Sequence, residues 1–184
     1  MTVTVAPETF SFVNFDAALI QRTAEGIASA LGIDRPIHVE VDETTPLARV
    51  RVEIGDTIVV HVESGAFEDT RRPRDQNERA TATALGRALL RANDRLVGGF
   101  GEAPADDDLS LAEVAAWETY CTGRLQKLGI DQNLQRWRYN FRNRHGFADA
   151  VDEAFDQLWA SDGLTWGEVR EISARALAAS GAAA

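Results

Sequence analysis

Residues 83–90 read TALGRALL, and the reading of that octapeptide decides the fold. In the surrounding run from about Gln76 to Leu96, Thr81, Leu85, Ala88, Ala92 and Leu96 recur every three or four positions. That spacing keeps apolar side chains on one face of an α-helix. At about 100° per residue, Thr83 and Arg87 fall about 40° apart and roughly opposite Leu85. A helix packed on a sheet through Leu85 therefore turns both polar residues towards whatever space lies above it.

On the N-terminal side, Asn14 is a suitable cap for a helix from Phe15 to about Leu31, with Phe15, Leu19, Ile27, Ala30 and Leu31 on its stripe and Gly32 at its end. RPIHVEVDE (35–43) and PLARVRVEIG (46–55) then alternate apolar and polar residues, the second through Leu47, Val50, Val52 and Ile54. A turn at Gly55–Asp56 leads into TIVVHVE (57–63). These runs predict a small sheet of three to four strands. SGAFEDTRRPRD (64–75) is polar and broken by Gly65 and Pro73, which predicts a loop.

Beyond the central helix, VGGFGEAPADDDL (97–109) combines glycines, a proline and an acidic run and reads as a solvated loop. Ser110 and Glu113 form a capping box, with Leu109 and Val114 as its hydrophobic staple, and Val114, Trp117, Cys121, Leu125 and Leu128 make the stripe of the helix that Gly129 ends. Asp131 can cap the next helix, which carries Leu134, Trp137 and Phe141 and stops at Gly146. Phe147, Val151, Phe155, Leu158 and Trp159 mark another, and Thr165 with Glu168 opens a last one along Val169, Ile172, Ala176 and Leu177. The tail ASGAAA (179–184) is expected to fray. The order gives an α+β fold: N-terminal helix, small sheet, central helix, C-terminal helices. We expect one domain over 1–184, with an α+β core at about 1–97 and a helical part at about 109–180.

The bulk composition narrows the partners. A formal net charge of −10 argues against general affinity for nucleic acid or anionic lipid, since such binding draws on cationic side chains. No run approaches the roughly 18 apolar residues of a membrane span, and the start shows no basic and apolar leader, so a cytoplasmic protein is expected. The lone Cys121 lies at core spacing and has no internal partner.

TALGRALL resembles HELGHALL, the active-site helix of the zincin metallopeptidases, through Leu85, Gly86, Ala88, Leu89 and Leu90. In the HExxH motif two histidines one turn apart bind Zn²⁺, and the glutamate between them activates the metal-bound water. Here Thr83 stands at the first histidine, Ala84 at the glutamate and Arg87 at the second histidine. Arginine stays cationic and is no ordinary zinc ligand, and alanine accepts no proton. The order of elements from Phe15 to Leu96 is similar to that of small bacterial zincins. In the gluzincin branch a glutamate of the following helix is the third ligand, and Glu113 and Glu118 both fit that description. The resemblance thus implies a zincin-like fold without catalytic residues, metal or cofactor, serving as a binding or structural protein. Thr83, Arg87 and Glu118 or Glu113 are then the ligand-binding candidates, and an acidic peptide, a carboxylate or a protein is the partner met by Arg87.

Two other readings stand beside it. His38-x-Glu40 and His61-x-Glu63 each place two metal-ligating residue types on one strand face, which suits a metal-dependent hydrolase using His61 and Glu63 with Glu113 or Glu118. RWRYNFRNRH (136–145) interleaves arginines with aromatics, a pattern that grips anionic ligands or nucleic acid. Arg138, Arg142 and His145 share a side of that helix, but the acids of DAVDEAFD (149–156) follow at once and offer the arginines partners within the chain.

Overall fold

The computed structural model describes residues 2–181. The chain divides into two compact units, Met1–Asn93 and Asp94–Ala184. Architecture is α+β, as the sequence predicts.

The first unit is built on a four-stranded sheet of β1 (Val3–Ala6), β2 (Ile37–Asp42), β3 (Val50–Ile54) and β4 (Ile58–Glu63), in the order β1-β2-β4-β3. β1, β2 and β4 run parallel, while β3 is the antiparallel edge strand, joined to β4 by the tight turn at Gly55. Helix α1 (Ala17–Ala30) makes the crossover that two neighbouring parallel strands require. Strict alternation gives the sheet two unlike faces. Ile37, Val39, Val41, Ile58, Val60 and Val62 are buried, and the intervening residues form a polar face.

Several local expectations are corrected here. β1, close to the start of the chain, is a full sheet member paired along its length with β2. The cap of α1 is Asp16, whose carboxylate accepts from Ala18 N at 2.8 Å. Asn14 instead bridges to Asp75, through its backbone and its side chain. The buried stripe of α1 is Ile20, Ala24, Ile27 and Ala28 rather than the set around Phe15 and Ala30. Leu47 lies before β3 and is exposed. The expected loop at 64–75 holds a 3-10 turn, Ser64–Ala66, and a hairpin of β5 (Glu68–Asp69) with β6 (Arg72–Gln76). Its order comes from side chains: Ser64 Oγ lies 2.9 Å from Thr45 O and 2.8 Å from Glu68 Oε1, within reach of its single hydroxyl proton, and Arg74 Nη1 donates to Glu43 O.

Helix α2 (Glu78–Val97) opens at Asn77, whose side chain accepts from Ala80 N. Its stripe of Thr81, Leu85, Ala88 and Ala92 is buried, as are Ala84, Leu89 and Leu90. The burial is wider than one stripe. Arg91 is also buried and donates to Val50 O at 3.0 Å. In the β3–β4 register Val50 points its backbone groups away from β4, so this arginine covers part of the free edge of the sheet.

The second unit contains α3 (Leu111–Lys127), α4 (Leu134–His145), α5 (Asp149–Ala160) and α6 (Trp166–Gly181). Both capping boxes form as read, at Ser110 with Glu113 and at Thr165 with Glu168. The cap of α4 is Asn133, not Asp131, because its side chain reaches Arg136 N. The segment 97–109 is not simply solvated. Phe100 is fully buried and stacks on Trp117 and Tyr120, and Asp106 is bound by Arg95 at 2.8 Å. Trp137 is half-buried, while Leu128, Phe147 and Leu177 are exposed. Ala179, Ser180 and Gly181 of the expected frayed tail belong to α6, and residues 182–184 lie outside the described residues. Among the described residues no helix is long and apolar enough to cross a membrane.

Candidate functional site

The four candidates from the sequence divide between the two units. Thr83 and Arg87 lie one turn apart on α2 and are both half-buried, and neither is free of partners. The Arg87 Nε is enclosed by protein while the residue as a whole keeps intermediate exposure, so this side chain is only partly open to solvent. Ala84, at the position of a zincin's general base, is buried. Glu113 and Glu118 belong to the second unit. Glu113 caps the start of its own helix, with Oε2 accepting from Ser110 N at 2.9 Å and from Ser110 Oγ at 2.7 Å. A carboxylate that satisfies an N-terminal N–H is committed to the cap. Glu118 lines a groove of about 300 Å³ between α3 and α4 with Val114, Trp137 and Asn140. Neither that groove nor the cleft at the end of the sheet beside Glu40 and Arg51 is lined by Thr83 or Arg87.

The polar face of the sheet gathers the two strand histidines. Pairing sets Thr4 beside His38, and Glu40 beside His61, which in turn faces Arg51. Glu40 serves both imidazoles: its Oε2 lies 2.9 Å from His61 Nδ1 and its Oε1 3.6 Å from His38 Nε2. On the far side of His61, Nε2 is 3.3 Å from Glu53 Oε1, and Thr4 Oγ1 lies 2.7 Å from His38 Nδ1. The face is thus a cross-strand ladder of alternating acid and imidazole. Among the described residues no group of three or more His, Cys, Asp or Glu side chains is placed to hold a metal ion. At the end of this ladder lies a cleft of about 440 Å³, with Glu40, Asp42, Arg49, Arg51, His61 and Glu63 on its walls.

On α4 the shared side of Arg138, Arg142 and His145 turns inwards. Arg138 binds Asp156, and Arg142 Nε binds Asp152 Oδ1 at 2.7 Å with a second bond from Nη2. The Arg142 hydrogen bond holds the Asp152 carboxyl below the usual carboxylate range. His145 is buried, stacked on Phe141 with ring centroids 3.9 Å apart, and its Nε2 meets Ser173 Oγ at 2.8 Å. Burial pushes its pKa down. The acids at 149–156 therefore use up the two arginines of the shared side, and Arg136 and Arg144 remain as the exposed pair.

Sequence reasoning missed the buried polar pair of the second unit. Asp94 is buried, takes both terminal nitrogens of Arg124 and accepts from Trp117 Nε1. The signal was present, since Asp94 follows the buried Leu90 by four residues and so occupies a core position of the α2 pattern. Comparison of the chain with family models, with curated proteins and with solved structures finds no match.

Proposed function

We propose that the protein is a zincin-like scaffold without zinc chemistry, working as a binding or structural protein. What supports this reading is a mixed sheet, edged by an antiparallel strand and followed by a helix on which Thr83, Ala84 and Arg87 fall at the spacing of the metal-binding and general-base residues of HExxH. A buried alanine has no proton to take or give, and a guanidinium repels a cation. Arg91 lends support, because it occupies backbone hydrogen-bonding capacity on the free edge of β3. On this reading Arg87 and Thr83 meet a carboxylate or an acidic peptide, and Glu118 belongs to a separate groove on the helical unit.

The test combines metal analysis with two assays on the full chain. After equilibration with Zn²⁺ and desalting, the protein retains well under one equivalent and cleaves no peptide from a mixed fluorogenic library. A labelled hexaglutamate binds, and Arg87→Ala weakens that binding by about tenfold or more. Retention of about one zinc together with hydrolysis that Arg87→Ala leaves unchanged would overturn the reading.

A further inference from the structure

The cleft on the polar face of the sheet lies at the carboxyl ends of β1, β2 and β4. That is where sheets with parallel strands commonly take ligands, because the chain leaves the sheet there and opens a crevice. Ala6 and Pro7 form one wall with little side chain. The opposite wall is Arg49 and Arg51, and the floor between them carries Glu40, Asp42 and Glu63. Two cations against three acids disfavour a simple anion, and the two arginines disfavour a simple cation. A ligand carrying both signs satisfies both the arginine wall and the acidic floor.

The rung at the mouth of the cleft is the informative one. Asp42 pairs with Glu63 across β2 and β4, and Glu63 N donates to Arg49 O at 3.0 Å across β4 and β3. Arg49 and Glu63 are neighbours of opposite charge, yet their side chains do not neutralise each other. The Glu63 carboxylate instead accepts from the backbone N–H of Arg49 at 3.3 Å. Among the described residues the Arg49 guanidinium has no hydrogen bond or ion pair. At the other end, Thr44 donates to Asp42 Oδ1 from its backbone and its hydroxyl, at 2.9 and 2.6 Å, which keeps that carboxylate ionised. Glu40 is already engaged by His61 and His38, so it sets the floor and leaves the rung of 42, 63 and 49 to recognise. Two strand spacings separate the backbones of residues 42 and 49 by roughly 10 Å, the scale of an extended dipeptide of roughly 7 Å with a hydrogen bond at each end.

We infer that this cleft binds a small zwitterion of dipeptide size, with its carboxylate on Arg49 and its ammonium between Asp42 and Glu63. The site is distinct from α2, and it stands whether or not the zincin-like reading does.

Glycylglycine is the probe, followed by NMR on the full chain through the His61 and His38 ring signals. Saturable shifts with a Kd below about 10 mM are expected. N-acetylglycylglycine, glycylglycinamide and the exposed-residue variant Arg49→Gln should each weaken binding by about tenfold or more, with the melting profile of the variant unchanged. Absence of saturable shifts up to about 10 mM, or equal binding of either capped peptide, would overturn the assignment. Zinc retention and hexaglutamate binding are read separately, so a failure here leaves the α2 test intact, and the reverse.

Discussion

Asp94 and Arg124 form a two-pronged ion pair, Nη1 to Oδ1 at 2.6 Å and Nη2 to Oδ2 at 2.7 Å, with the Asp94 side chain 4% exposed and that of Arg124 13%. Trp117 Nε1 adds a third bond to the same carboxylate at 2.8 Å, and the Arg124 guanidinium lies over the Tyr120 ring. The pair therefore sits inside the aromatic cluster that forms the core of the helical unit.

Removing one partner of such a pair leaves a buried charge uncompensated. Asp94→Ala should lower the stability of the helical unit by about 3–5 kcal/mol, measured by urea unfolding followed through tryptophan fluorescence. The double variant Asp94→Ala with Arg124→Met should recover most of that loss, because no unpaired charge remains. A double variant as unstable as Asp94→Ala alone would show that packing around the pair, not its charge balance, sets the cost.

Gly123 marks a close approach of α3 to α5: a Cβ there would lie 2.1 Å from Trp159 O. Backbone cannot give way as a flexible side chain does, so Gly123→Ala should destabilise by about 2 kcal/mol or more. Gly26 in α1 is the control. A Cβ there meets nothing within 4 Å, and Gly26→Ala should stabilise by about 0.5–1 kcal/mol through helix propensity. Thermal melts of the two variants should move in opposite directions.

The buried His145 makes stability depend on pH. Its folded pKa lies below the ordinary 6.5, chiefly because of burial, although the bond to Phe141 O works the other way. A depressed base is charged more readily in the unfolded chain, so its contribution is complete above pH 6.5 and is lost as pH falls from there through the folded value. Wild type should therefore lose stability between about pH 7 and pH 5 more steeply than His145→Gln, which keeps a polar side chain but does not titrate. Urea unfolding at both pH values gives the comparison, and equal slopes would contradict it.

The arginines of α4 should not confer RNA binding. With Arg138 and Arg142 held by Asp152 and Asp156, and with the chain at −10 overall, single-stranded RNA should show no mobility shift at low salt. The double variant Asp152→Asn with Asp156→Asn frees both guanidinium groups and should raise RNA affinity over that of wild type. A salt-dependent shift with the wild-type protein would restore the interaction-module reading.

Helix positions were legible where a local signal set them. Serine and threonine three residues before a glutamate opened α3 and α6 as read, because a capping box is satisfied within four residues. Gly32, Gly129 and Gly146 closed their helices at positive φ, a conformation that glycine adopts at no steric cost. Caps without that double bond were less secure: Asn14 and Asp131 lost to Asp16 and Asn133 two residues on, where the side chain could reach a free N–H. β1 and the hairpin at 68–76 escaped because their order lies in distant partners, Ile37 to Glu40 for the strand and Glu43 and Thr45 for the hairpin segment.

The sequence by itself determined the α+β class, the alternation that gives the sheet one apolar and one polar face, and the absence of histidine and glutamate at 83, 84 and 87. Those follow from residue type and from periods of two and about 3.6 residues, which a chain carries before it folds. Tertiary structure alone decided which charges meet. Strand order brought His61 against Glu40, helix packing put Asp152 against Arg142, and the same process enclosed Asp94 with Arg124. Pairing of this kind depends on atoms within about 4 Å whose positions in the chain are unrelated, and no local pattern encodes that distance.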